Sequence, residues 1–185
     1  LGDNNRAPFG DKSESDLWLI NQQIIQFLLN QNVDGIVMGC NTSCSLFSEK
    51  IETMISIPIY NLIPPICASI GDNKKYQKVS IWATTATINS DVYKKTLLET
   101  NKTLEIQQIA CSPLVPIIEQ GDLNSDELIR WINHYLNETI NFGADCIVYG
   151  CTHYPLLGPI VTGLMKDSLL DLIDPAKELA VHIKS

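Results

Sequence analysis

Val33-Asp34-Gly35-Ile36-Val37-Met38-Gly39-Cys40 returns later in the chain as Ala144-Asp145-Cys146-Ile147-Val148-Tyr149-Gly150-Cys151. Both copies follow a stretch with helical periodicity, and both read Asp-x-Ile-Val-x-Gly-Cys. A short apolar run closed by glycine is the pattern of a buried parallel strand, because a strand covered on both faces needs no polar alternation. A helix–strand unit that occurs twice implies two related halves facing one another, and it restricts the chain to α/β architectures.

The remaining residues keep that alternation. Periodicity predicts a helix over 17–31, with Leu17, Ile20, Ile24, Phe27 and Leu28 on its apolar face, and a second over 45–55. Further helices are predicted over 89–100, over 126–142 with Leu128, Trp131, Ile132, Tyr135 and Leu136 inward, and over 156–165. Strands are predicted over 35–39, 57–62, 78–83, 104–110 and 146–149. The expected fold is α/β, with two pseudo-symmetric domains, mostly parallel sheets and a cleft between the domains. Pro64-Pro65 and Pro155 mark chain crossings. They divide the chain into a first domain of 1–64 plus 155–185 and a second of 65–154.

Composition removes several classes of function. The chain is 45% hydrophobic and 18% charged, which is globular rather than disordered. A formal net charge of −8 supplies no field that would attract phosphates, so no nucleic-acid partner is expected. No apolar run reaches the length of a membrane span, about 18 residues or more, so no membrane association is expected. The opening Leu1-Gly2-Asp3-Asn4-Asn5-Arg6 lacks the charged-then-apolar order of a signal peptide. Six cysteines in a chain of this size need no disulfide framework, so reduced thiols and a cytoplasmic location are expected.

In an open parallel sheet, ligands collect beyond the carboxyl ends of the strands, where Cys40 and Cys151 stand. Gly39 and Gly150 are expected to let the backbone turn sharply and a ligand come close. Asn41-Thr42-Ser43 and Thr152-His153 are expected to open helices whose free N–H groups bind anions and lower a thiol's pKa. Other readings of these residues stay open. A free cysteine commonly packs as a small hydrophobe, the default for Cys44, Cys67, Cys111 and Cys146. Cys40, Cys44, Cys151 and His153 offer four soft metal ligands, although their spacings are not those of structural zinc sites. Cys151 and His153 could also form a nucleophile–base pair.

Gly39-Cys40-Asn41-Thr42 and Gly150-Cys151-Thr152-His153-Tyr154-Pro155-Leu156-Leu157 resemble the paired cysteine motifs of the glutamate racemases, within the aspartate/glutamate racemase family. Gly2-Asp3 with Arg6-Ala7-Pro8-Phe9-Gly10-Asp11-Lys12-Ser13 resembles that family's early substrate loop. Ala83-Thr84-Thr85-Ala86-Thr87 resembles its threonine-rich loop, and Leu114-Val115-Pro116-Ile117-Ile118-Glu119-Gln120-Gly121 its glutamate segment.

The resemblance implies racemisation of glutamate by two thiols without a metal or organic cofactor, supplying D-glutamate for peptidoglycan. It implies that Cys40 works on the D-enantiomer and Cys151 on the L-enantiomer, with His153 assisting Cys151 and Glu119 supporting His153. Pro8, Phe9, Gly10, Asn41, Thr42, Thr84, Thr87 and Thr152 would form the substrate site. The partner it implies is a small molecule, and a homodimer is compatible with it. Related aspartate racemases place Glu where His153 stands, which favours glutamate.

Two departures stand out. Phe9 replaces a tyrosine usual in the loop, and nothing supplies the Asp-Ser-Gly that ends the family's first strand. The chain is therefore expected to lack that strand, and with it stability and most activity. The alternatives are a racemase for aspartate or another acidic amino acid, and a non-catalytic remnant that binds an acidic ligand or a protein.

Overall fold

The structure, a computed structural model, describes residues 1–10, 12–165 and 169–184. Asp11 of the early loop and Ser185 lie outside the described residues. Helix α1 spans Glu14–Asn30, strand β1 Ile36–Met38, α2 Asn41–Glu52, β2 Ile59–Asn61, α3 Ile63–Asp72 and β3 Lys78–Ala83. Next come α4 (Thr85–Ser90), α5 (Val92–Thr100), β4 (Glu105–Ala110), α6 (Leu114–Glu119), α7 (Asp126–Phe142) and β5 (Cys146–Gly150). A 3-10 turn at Tyr154–Leu157 leads to α8 (Gly158–Leu164), β6 (Asp171–Ile173) and α9 (Pro175–Lys184). Strand β1 pairs with β2, and a larger sheet has the order β4-β3-β5-β6; every pairing is parallel. This is the α/β architecture with parallel sheets that the repeat implies.

Side chains on the two central strands alternate between two cores, as the pleat requires. Val79, Ile81 and Ala83 of β3 join Cys146 and Val148 of β5 in one core. Trp82, Ile147 and Tyr149 enter the other. The first core continues without a break into Leu17, Met38, Phe47, Ile51 and Leu62, so the smaller sheet and one face of the larger share it. The second is closed by Leu114 and Ile118 of α6, Leu128, Ile132 and Leu136 of α7, and Val161 of α8. Helix α7 is bounded at both ends. The Ser125 hydroxyl accepts from the Leu128 N–H at 3.3 Å, and Gly143 closes it at φ 76°.

Several elements differ from expectation. Helix α2 starts at Asn41 rather than near 45, which puts Cys40 at its N-cap. Pro64-Pro65 do not break the chain but sit in the first turn of α3, where a missing N–H removes no intrahelical bond. The helix predicted over 89–100 divides into α4 and α5 at Asp91, which adopts a left-handed φ of 59°. Phe27, placed on the apolar face of α1, is 51% exposed. The segment 155–185, assigned from the sequence to the first domain, instead contributes β6 to the larger sheet. There Asp171 N–H donates to the Asp145 carbonyl at 3.1 Å, and Leu172 and Ile173 pack against opposite cores. Leu179 of α9 seals the first core.

Candidate active site

The two Gly-Cys turns end on one cleft of about 380 Å³, walled by both Cys40 and Cys151. Cys40 is half-buried, with an extended backbone at the N-cap of α2 (φ −120°, ψ 115°), and its carbonyl accepts from Cys44 N–H at 2.9 Å to open that helix. Cys151 follows β5 directly and is buried. No long helix begins there, because Thr152 and His153 form a turn before the 3-10 segment. The expectation that both turns open helices and depress both thiols therefore fails at Cys151. Burial pushes that thiol up to about 12, outweighing the His153 and Tyr154 backbone N–H groups that pull it down, and the nearby Cys40 adds to the rise.

The glycines also divide. A Cβ at Gly150 would stand 2.8 Å from the Ala83 Cβ and 3.2 Å from the Trp82 carbonyl oxygen. Gly150 thus serves the close packing of β5 on β3, not ligand approach. A Cβ at Gly39 would meet nothing within 4 Å, and Gly39 lines the cleft.

Behind Cys151 stands an imidazole–carboxylate pair. The Cys151 Sγ lies 3.7 Å from His153 Nδ1, and His153 Nε2 pairs with Glu119 Oε1 at the end of α6. With the carboxylate accepting the Nε2 proton, Nδ1 is left as an acceptor facing the thiol. All three residues line the cleft.

Hydroxyls bind the smaller sheet's helix to the larger sheet. Thr42 of α2 lies 3.0 Å from Thr84 and 3.3 Å from Thr87, and Thr84 lies 3.0 Å from Thr87, measured between Oγ1 atoms. Thr84 follows β3 and caps α4 by accepting from the Thr87 N–H. Thr42 and Thr84 line the cleft. Thr87 does not, and supports them from beneath at 1% exposure. Pro8, Phe9, Gly10, Asn41 and Thr152 complete the cleft wall among the expected residues. Gly10 is pressed so closely on Thr84 that a Cβ would come within 2.9 Å of its Cγ2.

Ser112, which carried no sequence expectation, and Val115 of the glutamate segment also line the cleft. Ser112 stands just beyond β4, and its hydroxyl accepts from Thr85 N–H at 2.9 Å. Its position past a strand's carboxyl end was the available signal. Asp3, ion-paired with Arg6, and Asn21 of α1 line the cleft as well.

The default readings hold for the other cysteines, all buried in the two cores. Cys44 donates its S–H to the Met38 carbonyl at 3.3 Å, so it does not converge with Cys40, Cys151 and His153 on a metal. Among the described residues, no three His, Cys, Asp or Glu are grouped to hold one, and no helix is long and apolar enough to cross a membrane.

Two thiols delivered by parallel strand ends to one small cleft, one of them backed by an imidazole and a carboxylate, make an acid–base site of the kind an amino-acid isomerase needs. The sequence pattern of Asp/Glu/hydantoin racemases matches residues 5–183, and the chain belongs to that family. It is similar to the glutamate racemase of Sulfurihydrogenibium sp. (strain YO3AOP1), with 33% identity over all of the chain and 71% of that protein. It is similar also to the glutamate racemase of Trichodesmium erythraeum (strain IMS101), with 34% identity over 97% of the chain and 65% of that protein. The structure superposes on the crystal structure of glutamate racemase from Francisella tularensis in complex with D-glutamate. The TM-score is 0.89 at 26% identity, over 99% of this chain and 68% of that one. The chain thus spans about two thirds of the length of these proteins.

Proposed function

We propose that this site interconverts D- and L-glutamate by proton transfer between two thiols. The observation that carries the reading is the shared cleft, with Cys40 and Cys151 arriving from separate sheets and the His153–Glu119 pair behind the second. A volume near 380 Å³ suits a small amino acid.

In the D-to-L direction Cys40, as thiolate, takes the α-proton, and the electron pair of the broken C–H bond spreads into the adjacent carboxylate. Cys151, as thiol, gives its proton to the other face. L-Glutamate then leaves a Cys40 thiol and a Cys151 thiolate, the state that starts the reverse reaction. Burial favours the protonated form of Cys151, as a donor requires. His153 Nδ1 accepts from and returns protons to that thiol, while Glu119 holds its tautomer. Asn41, Thr42, Thr84 and Thr152, with the Pro8-Phe9-Gly10 loop, hold the carboxylates and the ammonium, and Thr87 supports the two threonines above it.

The D-glutamate product supplies peptidoglycan on this reading, and six free thiols accord with a cytoplasmic setting. The relatives' names and the D-glutamate in the superposed structure support glutamate as substrate.

The test is α-hydrogen exchange in deuterated water. Glutamate should exchange faster than aspartate. Cys40→Ser and Cys151→Ser should each lower the rate by about 10²–10⁴-fold or more, because serine forms no appreciable oxyanion at neutral pH. Cys111→Ala, deep in the second core, should leave it largely intact. Faster exchange of aspartate would move the substrate to the other acidic amino acid, and undiminished racemisation in either serine variant would refute the two-thiol reaction.

A further inference from the structure

Asn41 opens α2 on the cleft wall and is only 2% exposed. Its Oδ1 accepts a 2.6 Å hydrogen bond from the hydroxyl of Tyr93, a residue of α5 outside every motif that marks the site. Tyr93 is itself buried. Burial raises its phenol well above the ordinary range, and the surrounding Cys67, Cys44, Cys151 and Asp174 add to the rise. The phenol therefore keeps its proton, and its short bond to Asn41 Oδ1 is the one it donates.

That donation decides which way the amide faces. The oxygen is committed to Tyr93, which leaves Nδ2 as the free end, and Nδ2 is buried without a hydrogen-bond partner. Native proteins rarely leave a buried donor unpaired, and because Asn41 lines the cleft a ligand there can supply the missing acceptor. A flipped amide would put Oδ1 in that unpaired place, where it would repel a carboxylate.

We propose that Tyr93 is a positioning residue that locks the Asn41 amide with Nδ2 toward the cleft, as a preformed donor for a substrate carboxylate. This rests on the glutamate reading for the identity of the acceptor, but not for the orientation of the amide.

The experiment compares the full chain with Tyr93→Phe, Asn41→Ala and the double variant. Phe keeps the buried ring, and thermal melting checks that each variant folds. Tyr93→Phe should raise KM for glutamate about 3- to 10-fold, the share one such hydrogen bond carries, with kcat changed by less than about 2-fold. In the Asn41→Ala background the same change should have no further effect. An unchanged KM in folded Tyr93→Phe, or an equal rise without Asn41, overturns the proposal.

The Asn41 side-chain amide is followed by NMR in parallel. One orientation is expected in the parent chain and two in Tyr93→Phe, and identical patterns in both overturn the proposal. If the parent chain neither binds nor exchanges glutamate, the glutamate reading fails, and the NMR comparison alone decides the role of Tyr93.

Discussion

Gly150→Ala and Gly39→Ala make the same change at matching positions of the repeat, and the structure separates their consequences. At 150 the new Cβ would lie 2.8 Å from the Ala83 Cβ, 3.2 Å from the Trp82 carbonyl oxygen and 3.3 Å from Ile81 Cγ2. Only the isoleucine methyl can rotate away. The other two are fixed by the β3–β5 ladder, in which Ala83 registers with Gly150. The strands must part by several tenths of an ångström in a region where Ala83 and Val148 are fully buried. Overpacking of this kind costs about 1–3 kcal/mol, and for a chain of this size each kcal/mol moves Tm by about 2–4 °C. The expected loss is therefore about 2–12 °C, with lowered turnover because Cys151 is carried on the displaced strand end. At 39 the Cβ enters open space, and stability should change by less than about 0.5 kcal/mol. Circular-dichroism melts at neutral pH read both. An unchanged Tm in Gly150→Ala, or a comparable fall in Gly39→Ala, would refute the packing argument.

Glu119→Gln keeps a hydrogen-bonding partner for His153 Nε2 but removes the charge, so kcat should fall, by less than the roughly 10²–10⁴-fold a general acid–base group contributes. Racemisation at the parent rate would remove Glu119 from the site. Burial pushes the thiols of Cys44, Cys67, Cys146 and Cys151 from 9.0 up to about 12. Between those values the unfolded chain has lost thiol protons that the folded chain retains, so stability is complete below pH 9 and falls as pH rises toward 12. Urea unfolding followed across that range should show a shallower decline in Cys67→Ala, and an unaltered slope would mean that this thiol is not coupled to folding.

The repeat made the central architecture legible because its signal is local: here an apolar run, a glycine and a cysteine mark two parallel strands that reach the cleft. Cys40, Cys151, Asn41, Thr42 and Thr152 could be named from their neighbours in sequence and Thr84 from the family resemblance, and the structure brings all six to one cleft. Strand β6 could not be read the same way. Asp171–Ile173 is three residues long, and its stability comes from pairing with β5, a partner distant in the chain. Helix α6 is six residues long, contains Pro116 and lacks a capping side chain, so its position depends on Leu114 and Ile118 entering the second core. The break at Asp91 leaves little trace, since a left-handed aspartate looks like any helical aspartate in sequence. Tyr93 reads as the apolar face of a helix, and only the fold shows what its hydroxyl meets.

The repeat also shows how identical residues acquire different chemistry from their surroundings. Val148 of β5 is fully buried in the first core, while Val37 of β1 is 55% exposed on the cleft. The cysteines that end these strands inherit that difference. Cys40 is half-buried and stands at the start of a twelve-residue helix, whereas Cys151 is buried on the cleft, held protonated by burial and faced by His153. Racemisation through two thiols needs one proton acceptor and one proton donor at every moment. On the two-thiol proposal, the His153–Glu119 pair is the neighbour through which the buried thiol would release its proton when the reaction runs from the other face. On that proposal the departure from symmetry gives the two thiols different neighbours, Cys40 the open cleft at a helix start and Cys151 the imidazole beside it.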